Sequence, residues 1–242
     1  MVRQSQLLAA VPGLVHGFTT RRGPSWSDPE RGFDLGPGAE PRDWAWVAEE
    51  LGLPGAAGAR VSQVHGAEVV HAGAGGRAGQ ADAVWTELPG LLVAVRVADC
   101  VPVLVADLDP AGRALRVAAI HAGWRGLAAG TIPAALAALG PTRGRRLAVV
   151  GPRIGVDAYE VGPEVVEGLA VRVPVEVFAR PGRRPGRHQA DLGAAAAWQL
   201  RGEGVDALEV MPDCTASDPA LHSHRRDATA SGRIAAVVGL AC

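Results

Sequence analysis

The sequence predicts an α+β (mixed α/β) protein in which layered mixed β-sheets are flanked by helices. Three observations carry that prediction. Runs rich in Val and Ile recur along the chain, bounded by Gly, Pro or Asp. Several of these runs are apolar at every position, the pattern of strands covered on both faces. Helical stretches are fewer and irregularly spaced, which argues against a regular βαβ array. The 242 residues suffice to bury one large core. No linker separates two self-sufficient cores, so residues 1–242 read as a single domain.

In chain order, PRDWAWVAEELG (41–52) predicts a helix with Trp44, Val47, Ala48 and Leu51 on one face and Gly52 as its stop. Strands follow over 59–65, 67–72, 81–86, 91–99, 101–107 and 115–121. Residues 124–140 read as a helix that Pro133 splits or kinks, with Thr131 able to cap a second piece. Then come a strand over 147–151, a helix over 162–170 with Pro163 in its first turn, and a strand over 175–179. A helix over 191–204 takes Asp191 as N-cap, and strands over 207–211 and 234–240 complete the chain. GAGGRAGQ (73–80) and ARPGRRPGRHQ (179–189) read as exposed loops.

Composition removes several chemistries. The net charge of −1 gives no long-range field for nucleic acid or an anionic membrane. There is no apolar run of spanning length, and the N-terminus does not read as a signal peptide, so a cytoplasmic address is expected. All 24 basic residues are arginine. That excludes Schiff-base and P-loop lysines and leaves anion binding to Arg or backbone N–H groups. The three cysteines form no CxxC pair and no disulfide framework.

The candidate chemistry lies at strand ends. His65 closes a strand in SQVHG, Cys100 stands between two apolar runs in RVADCVPVL, and His121 closes a strand in AAIHAGWRG. His, Cys and His are good zinc ligands, and three protein ligands leave a fourth position open, as in catalytic sites. Such an ion would acidify a bound water or polarise a substrate oxygen. Asp82 and Asp99 are candidates to orient a ligand imidazole. Two other readings stand beside this one: a Cys100 nucleophile activated by His65 or His121, and buried structural residues. Arg125 follows His121 at the start of a helix, where outward N–H groups and a guanidinium together suit phosphate. Arg21, Arg22, Arg225 and Arg226 lie in loop-like context with solvated surface as the bland reading. Glu160 and Asp191 are acid candidates, Asp191 being favoured as a helix cap. His16, His71, His188 and Tyr159 read as packing or surface residues, Cys214 as a buried thiol and Cys242 as inert. Trp124 reads as packing under the turn.

The ordered series SQVHG (62–66), ADAVWT (81–86), VADCVPVL (97–104), IHAGWRGLAAG (120–130), GPRIGVDAYEVGPEV (151–165) and SHRRDATASGR (223–233) resembles the laccase-domain family. Its members are labelled polyphenol oxidase, purine nucleoside phosphorylase or peptidoglycan editing factor. The resemblance implies zinc held by His65, Cys100 and His121, with copper as a second candidate ion. It implies phosphorolysis of adenosine, inosine, guanosine and methylthioadenosine, with adenosine deamination alongside. Nucleoside and phosphate are thus the expected partners, of a monomer, with Arg125, Arg21 and Arg225 as phosphate candidates. A multicopper oxidase needs more histidines than the seven present and a His-Cys-His bridge that this chain lacks. A Cys100-dependent hydrolase of peptidoglycan precursors and a binding module without chemistry are the alternatives. The chain departs from the family pattern at Asp34, Arg153, Leu221 and His222, which puts the pocket rim, rather than the metal set, in question.

Overall fold

The computed structural model describes residues 2–30 and 32–241. Cys242 therefore lies outside the described residues. The strand Val101–Leu108 explains the architecture, because all of it is buried. Val103 and Val105 enter one apolar cluster, Leu104 and Ala106 another, as the alternation of side chains along a strand requires. A strand apolar at every position must have cover on both sides, and here it has helices on one side and a second sheet on the other.

Two six-stranded mixed sheets stack face to face. In spatial order the first holds Val2–Arg3, Leu14–Thr19, Ile234–Leu240, Leu91–Val97, Ala57–Ser62 and Gly76–Gln80. Its last two pairings are parallel and the others antiparallel. The second holds Ala207–Val210, Arg146–Val150, Val101–Leu108, Ala114–Ala122, Ala83–Thr86 and Val69–His71. Phe18, Val93, Val95, Ala236 and Val238 of the first meet Leu104, Ala106, Val117, Ala119 and Val149 of the second. The helices Trp124–Ala129, Thr131–Leu139, Pro163–Ala170 and Leu192–Gly202 cover the second sheet's other face. Helix Pro41–Glu50 covers the first sheet's outer face, with Trp44, Val47, Ala48 and Leu51 against Leu92, Ala94, Ala235 and Val237. A small antiparallel sheet of Glu160–Val161, His188–Ala190 and Ala179–Pro181 completes the fold. The α+β class with layered mixed sheets is thus observed.

Several local expectations are corrected. Residues 175–178 form a short helix, Val175–Phe178, instead of a strand. Pro174 precedes it, and Phe178 is buried in the helix-side core. The glycine-rich stretch 73–80 contains the edge strand Gly76–Gln80, whose backbone pairs with Ala57–Ser62. Residues 179–189 carry Ala179–Pro181 and the start of His188–Ala190, not only loop. Leu14–Thr19 is a strand the apolar pattern does not single out, because His16 and Gly17 interrupt it. The break in 124–140 falls at Gly130, whose φ of 88° is left-handed. Pro133 lies in the first turn of the second helix, where a missing N–H costs little. Asp191 is the expected cap, its side chain accepting from Ala194 N–H at 2.9 Å.

His16 gives this fold a pH dependence. It is buried, and its Nε2 accepts from Ser5 N–H at 2.9 Å. Burial pushes its pKa down to about 4, and protonation would also deprive Ser5 of its acceptor. The neutral ring's contribution is complete above the unfolded value near 6.5 and is lost as pH falls through 4. The loss amounts to roughly 3 kcal/mol. His16→Gln, whose amide oxygen reaches the same donor, is expected to flatten the unfolding free energy between pH 6.5 and 4. Equal slopes for the two proteins in urea titrations would contradict this.

Candidate metal centre

His65, Cys100 and His121 meet where the chain crosses between the two stacked sheets. Cys100 lies in the turn joining Leu91–Val97 of the first sheet to Val101–Leu108 of the second. His65 lies between Ala57–Ser62 of the first and Val69–His71 of the second. His121 comes from Ala114–Ala122, opposite Pro102. At the crossovers the sheets no longer cover one another, so side chains can converge and still reach solvent. Among the described residues these three form a group able to hold a metal, their donor atoms lying within 4.8 Å of one another.

The backbone is shaped for this convergence. His65 has φ 60° and Asp99, next to Cys100, φ 88°. Non-glycine residues there cost free energy and persist where surroundings enforce them. For His65 the enforcing group is Asp82, which is fully buried. It accepts from the N–H groups of His65 at 3.0 Å, Gly66 at 2.7 Å and Val64 at 3.3 Å. Asp82 Oδ1 also accepts a hydrogen bond from His121 Nδ1–H at 2.7 Å, so His121 Nε2 is left for the centre. One carboxylate thereby positions both histidines, as the sequence suggests for Asp82. Asp99 does something else: its oxygens accept from the Thr215 hydroxyl and from Arg225 N–H, both at 2.6 Å. It pins the crossover turn and orients no imidazole. Thr131, in place of capping, has its hydroxyl within hydrogen-bond reach of the carbonyls of Gly66 and Gly126, which share its one proton, and so ties the His65 loop to the helices. Gly123 is required by close approach, since a Cβ there would lie 2.9 Å from Cys100 Sγ and 3.2 Å from His65 Cδ2.

Cys100 Sγ is 4.0 Å from His65 Nε2, and the two imidazoles meet edge to face at 84° with centroids 4.8 Å apart. Tetrahedral zinc with the usual bond lengths holds its donors roughly 3.5 Å apart, so small side-chain rotations suffice. Burial raises the Cys100 pKa, but hydrogen bonds and charge from His121 and His65 outweigh it and bring the thiol down to about 6. For His121, burial is outweighed by Asp82 and Cys100, and its pKa rises to about 9. A thiolate and two imidazoles, one with a fixed tautomer, fit a borderline-soft divalent ion.

Two chambers open onto this set. The larger, about 370 Å³, is lined by His65, Cys100, His121, Arg96, Arg233 and His224, among others. The smaller, about 90 Å³, is bordered by His65, Cys100, Asp99, Trp124, Arg125 and Tyr159. Arg125 is exposed and stacks on Trp124 at 4.5 Å. Trp124 packs against the core, facing Gly168. Arg225 stacks on Tyr159 at 5.0 Å and donates to the Glu160 carbonyl. Burial pushes the Tyr159 hydroxyl up to about 12. Arg21 lines neither chamber; it donates to the Glu30 carbonyl at 2.8 Å and lies 3.9 Å from Asp227. Arg226 pairs with Asp227, and Glu160 pairs with Arg184 away from the donors. Cys214 accepts from Gly155 N–H. His71 pairs with Glu87 on the surface.

The departures from the family pattern are placed as follows. Leu221 is buried with Val97 and Ile234, and His222 donates to the Phe33 carbonyl from a buried position. Arg153 donates to the Met211 carbonyl and lines neither chamber. Asp34 accepts from Arg233 N–H at 2.7 Å. The residues that sequence reasoning misses are Arg96, Arg233, Gln63 and His224. Arg96 does carry a signal: it is the single charge in the apolar run LLVAVRV.

No helix among the described residues is long and apolar enough to cross a membrane. A donor set at the open end of two packed mixed sheets defines a protein with a candidate metal site. Residues 15–241 match the family described as multi-copper polyphenol oxidoreductase laccase, and the chain belongs to that family. It is 38% identical to a purine nucleoside phosphorylase of Deinococcus radiodurans, covering 96% of this chain and 92% of the relative. A purine nucleoside phosphorylase of Pseudomonas aeruginosa is 39% identical over 74% of this chain and 73% of its own. The crystal structure of YlmD from Geobacillus stearothermophilus superposes with a TM-score of 0.84 at 29% identity, covering 96% and 93% of the two chains.

Proposed function

We propose that this chain is a zinc-dependent purine nucleoside phosphorylase that also deaminates adenosine. Adenosine, inosine, guanosine or methylthioadenosine reacts with orthophosphate. A phosphate oxygen bonds to C1′ of the sugar, the N-glycosidic bond breaks, and the base departs with that electron pair and takes up a proton. The carrying observation is the open side of the His65–Cys100–His121 set, which faces a chamber of about 370 Å³, a volume suited to a small molecule of nucleoside size. The names of the relatives support the phosphorylase part of this reading.

When bound, the metal supplies Lewis acidity to a substrate oxygen or to water. The chain's own contributions are positional. Asp82 keeps His121 Nε2 aimed at the centre, and Gly123 leaves the close approach open. Arg125 and the Tyr159 hydroxyl border the smaller chamber, where they supply positive charge and a proton donor. The test is metal analysis of protein purified without chelator, together with product analysis on adenosine with and without phosphate. About one zinc per chain is expected, with adenine released only when phosphate is present and inosine formed in either case. No metal and no adenine would sink the reading, and copper in place of zinc would correct the ion.

The lowered Cys100 pKa favours a second reading, a Cys100-dependent hydrolase. It predicts a covalent adduct at Cys100 in metal-free protein and turnover that survives EDTA. Loss of all turnover with EDTA counts against it.

A further inference from the structure

The outer face of the first sheet carries a row of arginines that ends at the metal donors. Arg60 and Arg77 stand directly opposite each other in the parallel pair of Ala57–Ser62 and Gly76–Gln80. Arg60 is also opposite Ala94, and Arg96 lies two residues further along that strand, hence on the same face. Arg96 is in turn opposite Ala235, two residues from Arg233. Like charges set opposite each other across a sheet repel, so the row needs compensation. Arg60 stacks on the Trp44 ring at 4.7 Å. Arg233 donates to the carbonyls of Ser231 and Gly232 at 3.0 and 2.9 Å. Arg96 has only backbone partners, its N–H and C=O both being held by the Gln63 amide. Its half-buried guanidinium has no hydrogen bond or ion pair among the described residues. Burial first, and then Arg60, Arg77 and Arg233, hold its pKa below the ordinary arginine value. A carboxylate that acts on it is that of Asp34, whose Oδ1 is already taken by Gly36 and Arg233 N–H groups.

We propose that Arg96 and Arg233 form a phosphoryl-binding subsite in the larger chamber, beside the metal donors. Both arginines line that chamber, and His224 lines it with them. A dianionic phosphoryl group supplies the countercharge the row lacks, and its oxygens accept from planar guanidinium forks in pairs. The group has two sources: orthophosphate as co-substrate, or the phosphate of a nucleotide. Only the first source rests on the phosphorylase reading.

The test titrates inorganic phosphate, AMP and adenosine into the purified protein, with chloride holding ionic strength constant. Binding is read by thermal stabilisation and by phosphorus NMR line width, without turnover. Saturable phosphate or AMP binding is expected, weakened about tenfold or more by Arg96→Gln and restored in part by Arg96→Lys. Arg113→Gln, at a surface pair with Asp109 away from both chambers, should change it by less than about threefold. Because a like charge is removed, Arg96→Gln should melt no lower than the parent in phosphate-free buffer. AMP bound more tightly than adenosine, through Arg96, assigns the subsite to a nucleotide; binding of phosphate alone assigns it to the co-substrate. Either outcome upholds the subsite. Unchanged affinity in Arg96→Gln, loss of binding only in Arg125→Gln, or a lowered melting temperature for Arg96→Gln overturns it. If Arg96-dependent binding is found but adenosine is not cleaved, the phosphorylase reading fails and the subsite stands. If cleavage needs phosphate but neither the phosphate KM nor AMP binding responds to Arg96→Gln, the subsite fails and the phosphorylase reading stands.

Discussion

Cys100→Ala is expected to lose metal and nucleoside turnover together. The thiolate is the one formally anionic donor in a set completed by two imidazoles. Structural zinc sites gain about 10–16 kcal/mol from four ligands, so one ligand accounts for roughly 2.5–4 kcal/mol. The loss of metal affinity is then about 10²–10³-fold. The fold should survive, because Cys100 lies in a crossover turn that Asp99 pins independently through Thr215 and Arg225. Metal analysis beside circular dichroism separates the two effects. Full metal occupancy in Cys100→Ala would contradict the donor assignment. Full occupancy with no turnover would favour the hydrolase reading.

Asp82→Asn is expected to weaken metal binding by about 10–100-fold, the range typical of a carboxylate that orients a ligating histidine. It should also lower stability. Asp82 Oδ1 accepts from His65 N–H and His121 Nδ1–H, and Oδ2 accepts from the N–H groups of Val64 and Gly66. An asparagine amide in that place sets its NH₂ against two donors and removes the charge from the other pair. Two buried donors left without acceptors cost about 1–3 kcal/mol each. Urea unfolding of metal-free protein reads the stability term, and competition with a chelator reads the metal term. A stability loss with unchanged metal affinity would reduce Asp82 to a pin for the loop.

The centre was largely legible before folding because its donors are chemically scarce. His65, Cys100 and His121 each stand at the end of an apolar run, and few other side chains in this chain could hold a soft divalent ion. Asp82 was legible for the same reason, a lone carboxylate before a buried strand. The partners of Asp99, Thr215 and Arg225, lie 116 and 126 positions away, so the chain order next to Cys100 does not show them. A strand turns successive side chains to opposite faces, and a tight turn re-aims them again. Arg125 stands out by its place after His121, whereas Arg96 lies inside the strand Leu91–Val97, where only its charge marks it. The short helix Val175–Phe178 and the edge strand Gly76–Gln80 escaped because pairing and cover by distant segments decided them. Their local composition did not.

By itself the sequence determined the chemistry available: three thiols, seven histidines, arginine in place of every lysine, and strands too apolar to face water. It also determined the layered class, since strands without a polar face demand cover on both sides. The tertiary structure decided which of those groups meet. His65 and Cys100 are 35 positions apart, and what brings them to 4.0 Å is that both lie where the chain passes from one sheet to the other. It decided the His121 tautomer through a carboxylate 39 positions away. It also decided that the arginines lining the large chamber are Arg96 and Arg233. Periodicity tells which residues share a face of a strand; only packing tells what that face looks upon.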